Sequence, residues 1–355
     1  MNDGTASVLF ATELYGVPIL APLAEAALVR GQDCAWVVPD SVAAHLPPGA
    51  RRLRRMAEVR ALAPAAVYSA SNWVPPAFQG TKVQLFHGFN AEKREPGRGH
   101  FRLRGFFDLY CTQGPATTVP FRELAAQHRY FAVEETGWPK LDPLFRAETP
   151  AVDALRSAAA GRPRVMFAST FTPALSAAPV LFESIARMVA SGEWFWLLTL
   201  HPKCAPELVA RYRALAEAHP RNARFLGAEH LLDMQRAGDV LLCDTSSAID
   251  EFAVQLKPVV TFRNRRPKPF MLDVHDIDAV EPALRTALRP MPELRDALRA
   301  HAEAIHPWRD GHSSERVLDA VRRFADGGYG SLARKPWNPW RRLQARRDLR
   351  SLLVS

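Results

Sequence analysis

Residues 239–251 read DVLLCDTSSAIDE, an apolar run followed by small hydroxyl residues and then by a helical pattern. Short apolar runs bounded by turn residues predict buried strands, and Ser or Thr commonly precedes the first residue of a helix. The stretch therefore predicts a buried strand that leads directly into a helix. In open sheets of parallel strands, ligands bind beyond the carboxyl ends of the strands, and the hydroxyl residues follow such an end here.

The same alternation of strand and helix extends outward from this stretch. Strands are predicted at residues 7–11, 35–38, 66–69, 82–86 and 107–112 in the first part of the chain, and at 164–168, 194–200, 239–243 and 258–262 in the second. Helical patterns lie between them, notably at 21–30, 206–218 and 249–255. The expected fold class is α/β, with two Rossmann-like domains whose parallel sheets face a central cleft.

Length and composition agree with this division. A chain of 355 residues is long enough for two domains, and GWPKLDP at 137–143 interrupts the alternation. We therefore expect one domain over residues 1–145, a second over 146–325 and a tail over 326–355. Apolar residues make up 48% and charged residues 23%, which excludes collagen-like, disordered and disulfide-scaffold classes. The four cysteines lie far apart, as expected for reduced thiols.

The tail is strongly basic. The formal net charge is +9, and residues 331–355 supply +6 of it while interleaving Trp337, Trp340 and several leucines with the cations. This pattern allows two interpretations: contact with an anionic membrane surface, or a terminal helix that packs back on the first domain. No apolar run approaches the ~20 residues of a membrane span, and the start lacks the regions of a signal peptide. We expect a cytoplasmic protein, either free or peripheral on the inner face of the cytoplasmic membrane.

A histidine follows the predicted strand at 82–86. His87 is succeeded by a glycine, which would let a ligand approach the backbone, and a histidine at such a strand end suits general base catalysis near neutral pH. The cationic segment that begins at Lys93 could meet a phosphate. The alternative is a hydrogen-bonded loop histidine without a catalytic role.

Two further polar groups follow strands of the second domain. His201 comes directly after the strand at 194–200, and Thr245, Ser246 and Ser247 follow the strand at 239–243. Backbone N–H groups and hydroxyls at a helix start can hold an anion, and Glu251 lies one turn further along, where it could accept hydrogen bonds from a ribose. The alternative is that these residues only cap the helix.

Other site classes are not indicated. The chain has neither the phosphate-binding loop of kinase-type ATPases nor the glycine fingerprint of nicotinamide dehydrogenases after its first strand. His and carboxylate residues are not clustered as in metal sites, so neither a bound metal nor a cofactor is expected. Nucleic-acid binding is not expected as the function, because the basic residues concentrate at one end of the chain.

Five sequence motifs together resemble the CDP-glycerol glycerophosphotransferase family, enzymes of teichoic acid and capsule polymers with the GT-B fold. They are His87-Gly88 with Lys93, GWPKLD at 137–142, LHP at 200–202, DTSS at 244–247 with Glu251, and DGHSSER at 310–316. The resemblance implies transfer of glycerophosphate, or a similar alditol phosphate, from a CDP-activated donor to a hydroxyl of a glycan or lipid-linked glycan, with release of CMP. It makes the first domain the acceptor side and the second the donor side.

The resemblance also implies roles for individual residues. His87 would be the base, and His201 would contact the diphosphate. The remaining donor-binding residues would be Lys93, Thr245, Ser246, Ser247, Glu251 at the ribose and Arg316 near the phosphates. Two other functions stay open: a GT-B glycosyltransferase or UDP-sugar 2-epimerase that uses a nucleotide sugar, and a non-catalytic nucleotide- or nucleic-acid-binding protein.

Overall fold

The computed structural model describes residues 6–89, 101–350 and 352–353. The chain divides into two compact units. The first unit comprises Met1–Phe145 and Ala304–Ser355, and the second comprises Arg146–Glu303.

Each unit is built on a sheet of six parallel strands. The first sheet has the order β2-β1-β3-β4-β5-β6 and consists of β1 (Ser7–Phe10), β2 (Cys34–Val37), β3 (Ala66–Ser69), β4 (Thr81–Leu85), β5 (Leu109–Thr112) and β6 (Ala132–Glu135). The second has the order β12-β11-β10-β7-β8-β9 and consists of β7 (Arg164–Ser169), β8 (Phe195–Leu200), β9 (Ala223–Phe225), β10 (Val240–Cys243), β11 (Val259–Phe262) and β12 (Met271–Val274). Because all pairings are parallel, the carboxyl ends of the strands in a sheet share one edge.

Helices connect the strands. They are α1 (Val17–Val29), α2 (Asp40–Ala43), α3 (Met56–Leu62), α4 (Pro115–His128), α5 (Asp142–Phe145), α6 (Pro150–Ala158), α7 (Ala178–Ser191), α8 (Pro206–Ala218), α9 (Leu231–Ala237), α10 (Ala248–Ala253), α11 (Val280–Leu288), α12 (Pro292–Ile305), α13 (Ser313–Ala325) and α14 (Pro339–Arg350). The central strands β7, β8 and β10 are almost wholly buried, as expected of strands covered on both faces. The expected α/β class with two Rossmann-like units is confirmed.

Helix α13 differs from the sequence-based division, which assigned residues up to 325 to the second domain. In the structure this helix belongs to the first unit. The buried carboxylate of Asp142 accepts hydrogen bonds from the backbone N–H groups of Ser313 and Ser314, both at 2.8 Å, and from the Ser314 hydroxyl at 2.6 Å. Further along the helix, Asp319 forms an ion pair with Arg30, which directly follows α1. A carboxylate at a helix start is favourable for the unpaired N–H groups there, so this contact ties α13 to the first unit.

The tail also packs on the first unit. Ala345 and Leu349 of α14 and the following Leu353 are buried, and the two leucines join its apolar core. The Lys335 ammonium lies 2.6 Å from a carboxylate oxygen of Asp108. Among the described helices, none has both the length and the apolar character that crossing a bilayer requires.

Candidate active site

His87 lies in the loop at the carboxyl end of β4 in the first unit. Its side chain is exposed, and its ring lies 5.2 Å, centroid to centroid, from the ring of Tyr15 in the turn after β1. A Cβ added at Gly88 would meet no atom of the described residues within 4 Å. Tyr15 was not identified from the sequence. Its turn lies near His87 only because β3 pairs with both β1 and β4, which brings the carboxyl ends of these strands to the same edge of the sheet.

Two buried side chains hold the backbone on either side of His87. The indole Nε1–H of Trp138 donates to the carbonyl oxygen of Phe86 at 2.7 Å, and the amide Nε2–H of Gln113 donates to that of Gly88 at 3.2 Å. Both carbonyls belong to the immediate neighbours of the histidine. The two contacts therefore fix the backbone that carries the imidazole.

Trp138 is itself held by a buried histidine. The backbone N–H of Trp138 donates to Nε2 of His306 at 3.0 Å. Burial lowers the pKa of His306 to about 4, so the ring is neutral at pH 7 and Nε2 can accept this hydrogen bond. Gly137, the residue before Trp138, has φ +79°. A Cβ at this position would lie 2.5 Å from the Ser313 hydroxyl oxygen, so both the backbone conformation and the available space require glycine.

Arg316 lies in α13 of the first unit, whereas the other described residues predicted to bind the donor lie in the second. Its Nε–H donates to the carbonyl of Thr136 at 2.9 Å, and its two terminal nitrogens contact the Asp310 carboxylate at 2.8 and 3.0 Å. The guanidinium also stacks 4.1 Å from the centre of the Trp308 ring. Arg316 lowers the pKa of Asp310 to about 2. In the structure the guanidinium joins parts of the first unit, and a role at the donor phosphates stays a prediction.

His201 follows β8 in the second unit. Its Nδ1 accepts the backbone N–H of Lys203 at 3.1 Å, so a neutral ring carries its proton on Nε2 and presents it as a donor. Burial and the nearby Lys203 lower the pKa of His201, which favours that neutral form. The ring of Phe171, in the loop after β7, lies 4.5 Å from the imidazole, centroid to centroid.

Asp244 directly follows β10 and forms hydrogen bonds to the loop between β7 and α7. Its carboxylate is fully buried and accepts the Ser169 hydroxyl at 2.6 Å and the backbone N–H groups of Thr170 and Ala177, each at 3.0 Å. Burial raises the pKa of Asp244, and these hydrogen bonds oppose that rise. The Asp244 carboxylate thus fixes the loop between β7 and α7. From the sequence, Asp244 was noted only as part of the DTSS motif, without a role of its own.

The sequence allows two roles for the hydroxyl residues after β10, which are support of the helix start and binding of a phosphate. Ser246 Oγ accepts the backbone N–H of Ala248, the first residue of α10, at 3.2 Å, and a serine hydroxyl that accepts a hydrogen bond can still donate its own proton. Thr245 Oγ1 accepts the N–H of Arg265 at 3.1 Å, and Ser247 is exposed. Helix α10 has only six residues, so its dipole adds little to anion binding. Ser247 directly precedes α10 but makes no side-chain capping hydrogen bond to a described residue, and phosphate binding by these residues stays a prediction.

Glu251 lies inside α10 and is only 4% exposed. Its carboxylate accepts a hydrogen bond from the amide of the buried Gln235 at 3.4 Å. Contact with a ribose stays a prediction for this residue.

A cationic loop follows β11 and was missed by the sequence analysis. Its charged residues are Arg263, Arg265, Arg266 and Lys268. The loop is tied to the hydroxyl residues, because Arg265 donates to Thr245 and the Asn264 amide donates to the carbonyl of Asp244 at 3.4 Å. The run of cationic residues directly after the predicted strand at 258–262 could have identified this loop from the sequence.

The loops of the second unit described above follow four adjacent strands, in the order β11, β10, β7 and β8. Since these strands are parallel, the cationic loop, Thr245–Ser247, the Thr170 loop and His201 lie along one edge of the sheet. Hydroxyls, a neutral imidazole donor and cations together suit an anionic ligand such as a diphosphate. Of the remaining predicted residues, Lys93 lies outside the described residues.

No protein-family model matches the chain, and no curated protein matches it at a significant level. Solved structures do match. The wall teichoic acid polymerase TagF gives a TM-score of 0.67 at 14% identity and covers 91% of this chain and 90% of its own. A putative UDP-N-acetylglucosamine 2-epimerase from Listeria monocytogenes gives 0.63 at 13% identity, covering 94% and 100%, and S. aureus MnaA with UDP gives 0.58 at 16%, covering 91% and 97%.

At these identities the similarity shows the fold alone, and that fold is GT-B. A teichoic acid polymerase stands among the structural neighbours, which agrees with the resemblance seen in the motifs at the level of fold. UDP-sugar epimerases stand beside it, so the neighbours do not separate the activities left open by the sequence.

Proposed function

We propose that the protein is a transferase that moves glycerophosphate, or a similar alditol phosphate, from a CDP-activated donor to a hydroxyl of a cell-surface glycan. The observation that carries the proposal is the edge of the second sheet, where four adjacent loops offer hydroxyls, an Nε2–H and cations to a diphosphate. The exposed His87 at the corresponding edge of the first sheet supplies the base. A TagF variant soaked with CDPG is among the structural neighbours, which supports this donor class.

In the proposed reaction, His87 removes the proton from the acceptor hydroxyl as its oxygen attacks the phosphorus that carries the alditol. The bond between that phosphorus and the bridging oxygen of the diphosphate breaks, and CMP leaves with the electron pair. His201 Nε2–H and the hydroxyls of Ser246 and Ser247 donate hydrogen bonds to the charge that develops on the leaving phosphate. Lys93, Thr245, Glu251 and Arg316 remain predicted donor contacts.

A second candidate uses the same phosphate-binding edge with a different donor. A nucleotide-sugar glycosyltransferase or a UDP-sugar 2-epimerase is favoured by the Listeria monocytogenes and MnaA neighbours, the latter solved with UDP. The diphosphate contacts would be shared, so the base and the transferred group distinguish the two candidates.

The test begins with nucleotide binding, which needs no acceptor. Calorimetry should show tighter binding of CDP than of UDP, and His201→Ala should weaken CDP more than CMP because its proposed partner is the diphosphate. His201→Gln, which retains an N–H donor, should recover part of the loss. Preference for UDP would favour the second candidate.

Turnover is then measured with CDP-glycerol, CDP-ribitol and UDP-N-acetylglucosamine, each with soluble and lipid-linked glycans. Release of CMP that depends on acceptor is the expected result. Release of UDP or an epimerised sugar would overturn the proposal. A cytoplasmic location, peripheral at the inner face of the membrane, is part of the proposed function because lipid-linked acceptors lie there.

A further inference from the structure

Helix α10 carries two neighbouring carboxylates, Asp250 and Glu251, which lie in different surroundings. The resemblance implies that Glu251 binds the ribose of the donor. In the structure Glu251 is buried, and its carboxylate accepts a hydrogen bond from the amide of Gln235, which is buried as well. The side chain of Asp250, by contrast, is 21% exposed. Of the two carboxylates, that of Asp250 is therefore the more accessible to a ligand.

A histidine of α12 fixes one oxygen of the Asp250 carboxylate. Nε2 of His301 lies 2.9 Å from Oδ1 of Asp250. Because a carboxylate accepts hydrogen bonds, Nε2 carries the proton of this contact. No described residue forms a hydrogen bond with Oδ2 of Asp250, so this second oxygen can accept one from a ligand.

The imidazole of His301 is itself held in place. It stacks on the ring of the buried Phe270, with the ring centroids 3.8 Å apart and an angle of 12° between the planes. A binding group is positioned most precisely by side chains that packing has already fixed. The stacked imidazole thus orients the Asp250 carboxylate through its Nε2–H.

Asp250 lies close to the proposed phosphate contacts. It belongs to the first turn of α10 and follows Ser247 by three residues. At a rise of 1.5 Å per residue, this spacing corresponds to about 4.5 Å along the helix axis. The ribose of a nucleoside diphosphate is joined to the first phosphate only through an ester oxygen and a methylene carbon. Its hydroxyls therefore lie within roughly one helical turn of a phosphate bound at Ser247.

A carboxylate is chemically suited to the hydroxyls of ribose. Dinucleotide-binding sites use an Asp or Glu to accept a hydrogen bond from the ribose 2′-hydroxyl, and a charged acceptor makes this bond stronger. Asp250 has an accessible oxygen at the appropriate place, whereas Glu251 is engaged by Gln235. The two acids are adjacent in the sequence, and only the packing of α9 and α12 against α10 distinguishes them.

We propose that Asp250 binds a ribose hydroxyl of the donor nucleotide and that His301 is the positioning residue for its carboxylate. The contact that the resemblance implies for Glu251 is thereby assigned to Asp250. The inference rests on the proposed function for the class of ligand, a ribonucleoside diphosphate, and for the place of its phosphates. It depends neither on the base nor on the transferred group, and it is tested without an acceptor.

The experiment is calorimetry of the full chain with CDP, 2′-deoxy-CDP and 3′-deoxy-CDP. The parent should bind CDP at least ~10-fold more tightly than one of the two analogues, as expected for a hydrogen bond to a charged group. Asp250→Ala should lose this preference, because no carboxylate remains to accept from the hydroxyl. Its affinity for the disfavoured analogue should equal that of the parent, since this analogue never made the contact.

The positioning role of His301 is tested by two substitutions. His301→Phe retains an aromatic ring to stack on Phe270 but removes the donor to Asp250, and it should reduce the preference to ~3-fold. His301→Gln, whose amide can donate to Asp250, should recover part of the preference. If the pair only joined α10 to α12, the melting temperature of these variants would fall while the preference for CDP stayed at the parent value, which would contradict the proposal.

Two further variants serve as controls. Asp296→Ala removes an exposed carboxylate from α12 and should bind all three nucleotides as the parent does. Glu251→Gln should lower the melting temperature and keep the preference for the ribose hydroxyl. Loss of that preference in Glu251→Gln would overturn the assignment, as would its retention in Asp250→Ala or equal binding of the three nucleotides by the parent.

The same series with UDP and its two deoxy analogues separates this inference from the proposed function. If the parent prefers UDP to CDP, and Asp250→Ala loses the preference for the ribose hydroxyl of UDP, the inference stands while the proposed donor is wrong. If the parent binds CDP but Asp250→Ala keeps the preference, the inference fails and the proposed donor stands. Binding of neither diphosphate by the parent would overturn both.

Discussion

The carboxyl edges of the two sheets are built in different ways. In the first unit, Trp138 and Gln113 donate hydrogen bonds to the carbonyls that flank one exposed side chain, His87. In the second unit, the buried carboxylate of Asp244 accepts hydrogen bonds from the loop after β7, and no single side chain dominates the edge. One edge positions a single imidazole, whereas the other presents many donors.

The difference teaches how each edge relates to its chemistry. A general base must stand at a defined position relative to one proton, and bonds to its neighbouring carbonyls fix the backbone that carries the ring. A diphosphate carries several oxygens, so an edge that offers hydroxyls, N–H groups and cations from separate loops can meet it at several points. The variants below test whether the two edges are specialised in this way.

The largest effect is expected from His87→Ala. Loss of a positioned general base should lower turnover by ~100-fold or more, while the affinity for CDP changes little because His87 itself is not one of the proposed contacts to the phosphates. Turnover with CDP-glycerol and calorimetry with CDP measure the two quantities. His45→Ala, which removes another exposed histidine of the first unit, is the control. Full turnover by His87→Ala would contradict the assignment.

The support beneath His87 should be sensitive to acid. The pKa of His306 is about 4 in the folded protein and near 6.5 when unfolded, so below pH 6.5 the unfolded chain takes up a proton that the folded chain does not. Stability is therefore lost as the pH falls from 6.5 toward 4, by about 2 kcal/mol at pH 5. His306→Gln, which can still accept from Trp138, should lose less stability over that range. Melting temperatures of the parent and of His306→Gln at pH 7 and pH 5 test this prediction. An equal fall of the melting temperature in both proteins would contradict it.

The indole contact to Phe86 is expected to matter less than the base itself. Trp138→Phe retains an aromatic ring but removes the Nε1–H donor, leaving a buried carbonyl without that partner. We expect turnover to fall by ~10-fold through misplacement of His87, with the Michaelis constant for the donor nearly unchanged. A pH profile of turnover distinguishes this role from a loss of stability. Equal changes in both kinetic constants would argue against positioning.

The sequence predicted the strands that are buried on both faces but not three of the edge strands. β6, β9 and β12 lie at sheet edges and are partly exposed, and the segments Ala132–Glu135, Ala223–Phe225 and Met271–Val274 include charged residues. They therefore lack the continuous apolar run by which a buried strand is identified. Pattern alone identified the strands that make most of each core.

Residues of the candidate site were predicted where they directly follow such strands, as His87, His201 and Ser246 do. The contacts that support them could not be predicted in the same way. Gln113 reaches Gly88 only because β5 lies beside β4, and His306 reaches Trp138 from 168 positions away in the chain. These contacts depend on tertiary packing, which single-sequence patterns do not show.

The smallest effect is expected from Ser246→Ala with Ser247→Ala. The edge of the second sheet offers other donors, including His201 and the cationic loop after β11, so loss of two hydroxyls should weaken CDP binding by only ~5-fold, about the worth of one net hydrogen bond. Ser246 Oγ also accepts the Ala248 N–H at the start of α10, and Ser246→Asn with Ser247→Ala, whose amide oxygen can accept the same N–H, is the control. Calorimetry measures affinity, and melting temperatures show whether folding is affected. If CDP affinity is unchanged while the melting temperature falls, the serines only cap the helix, and the diphosphate contacts of this edge would then come from its imidazole and cations.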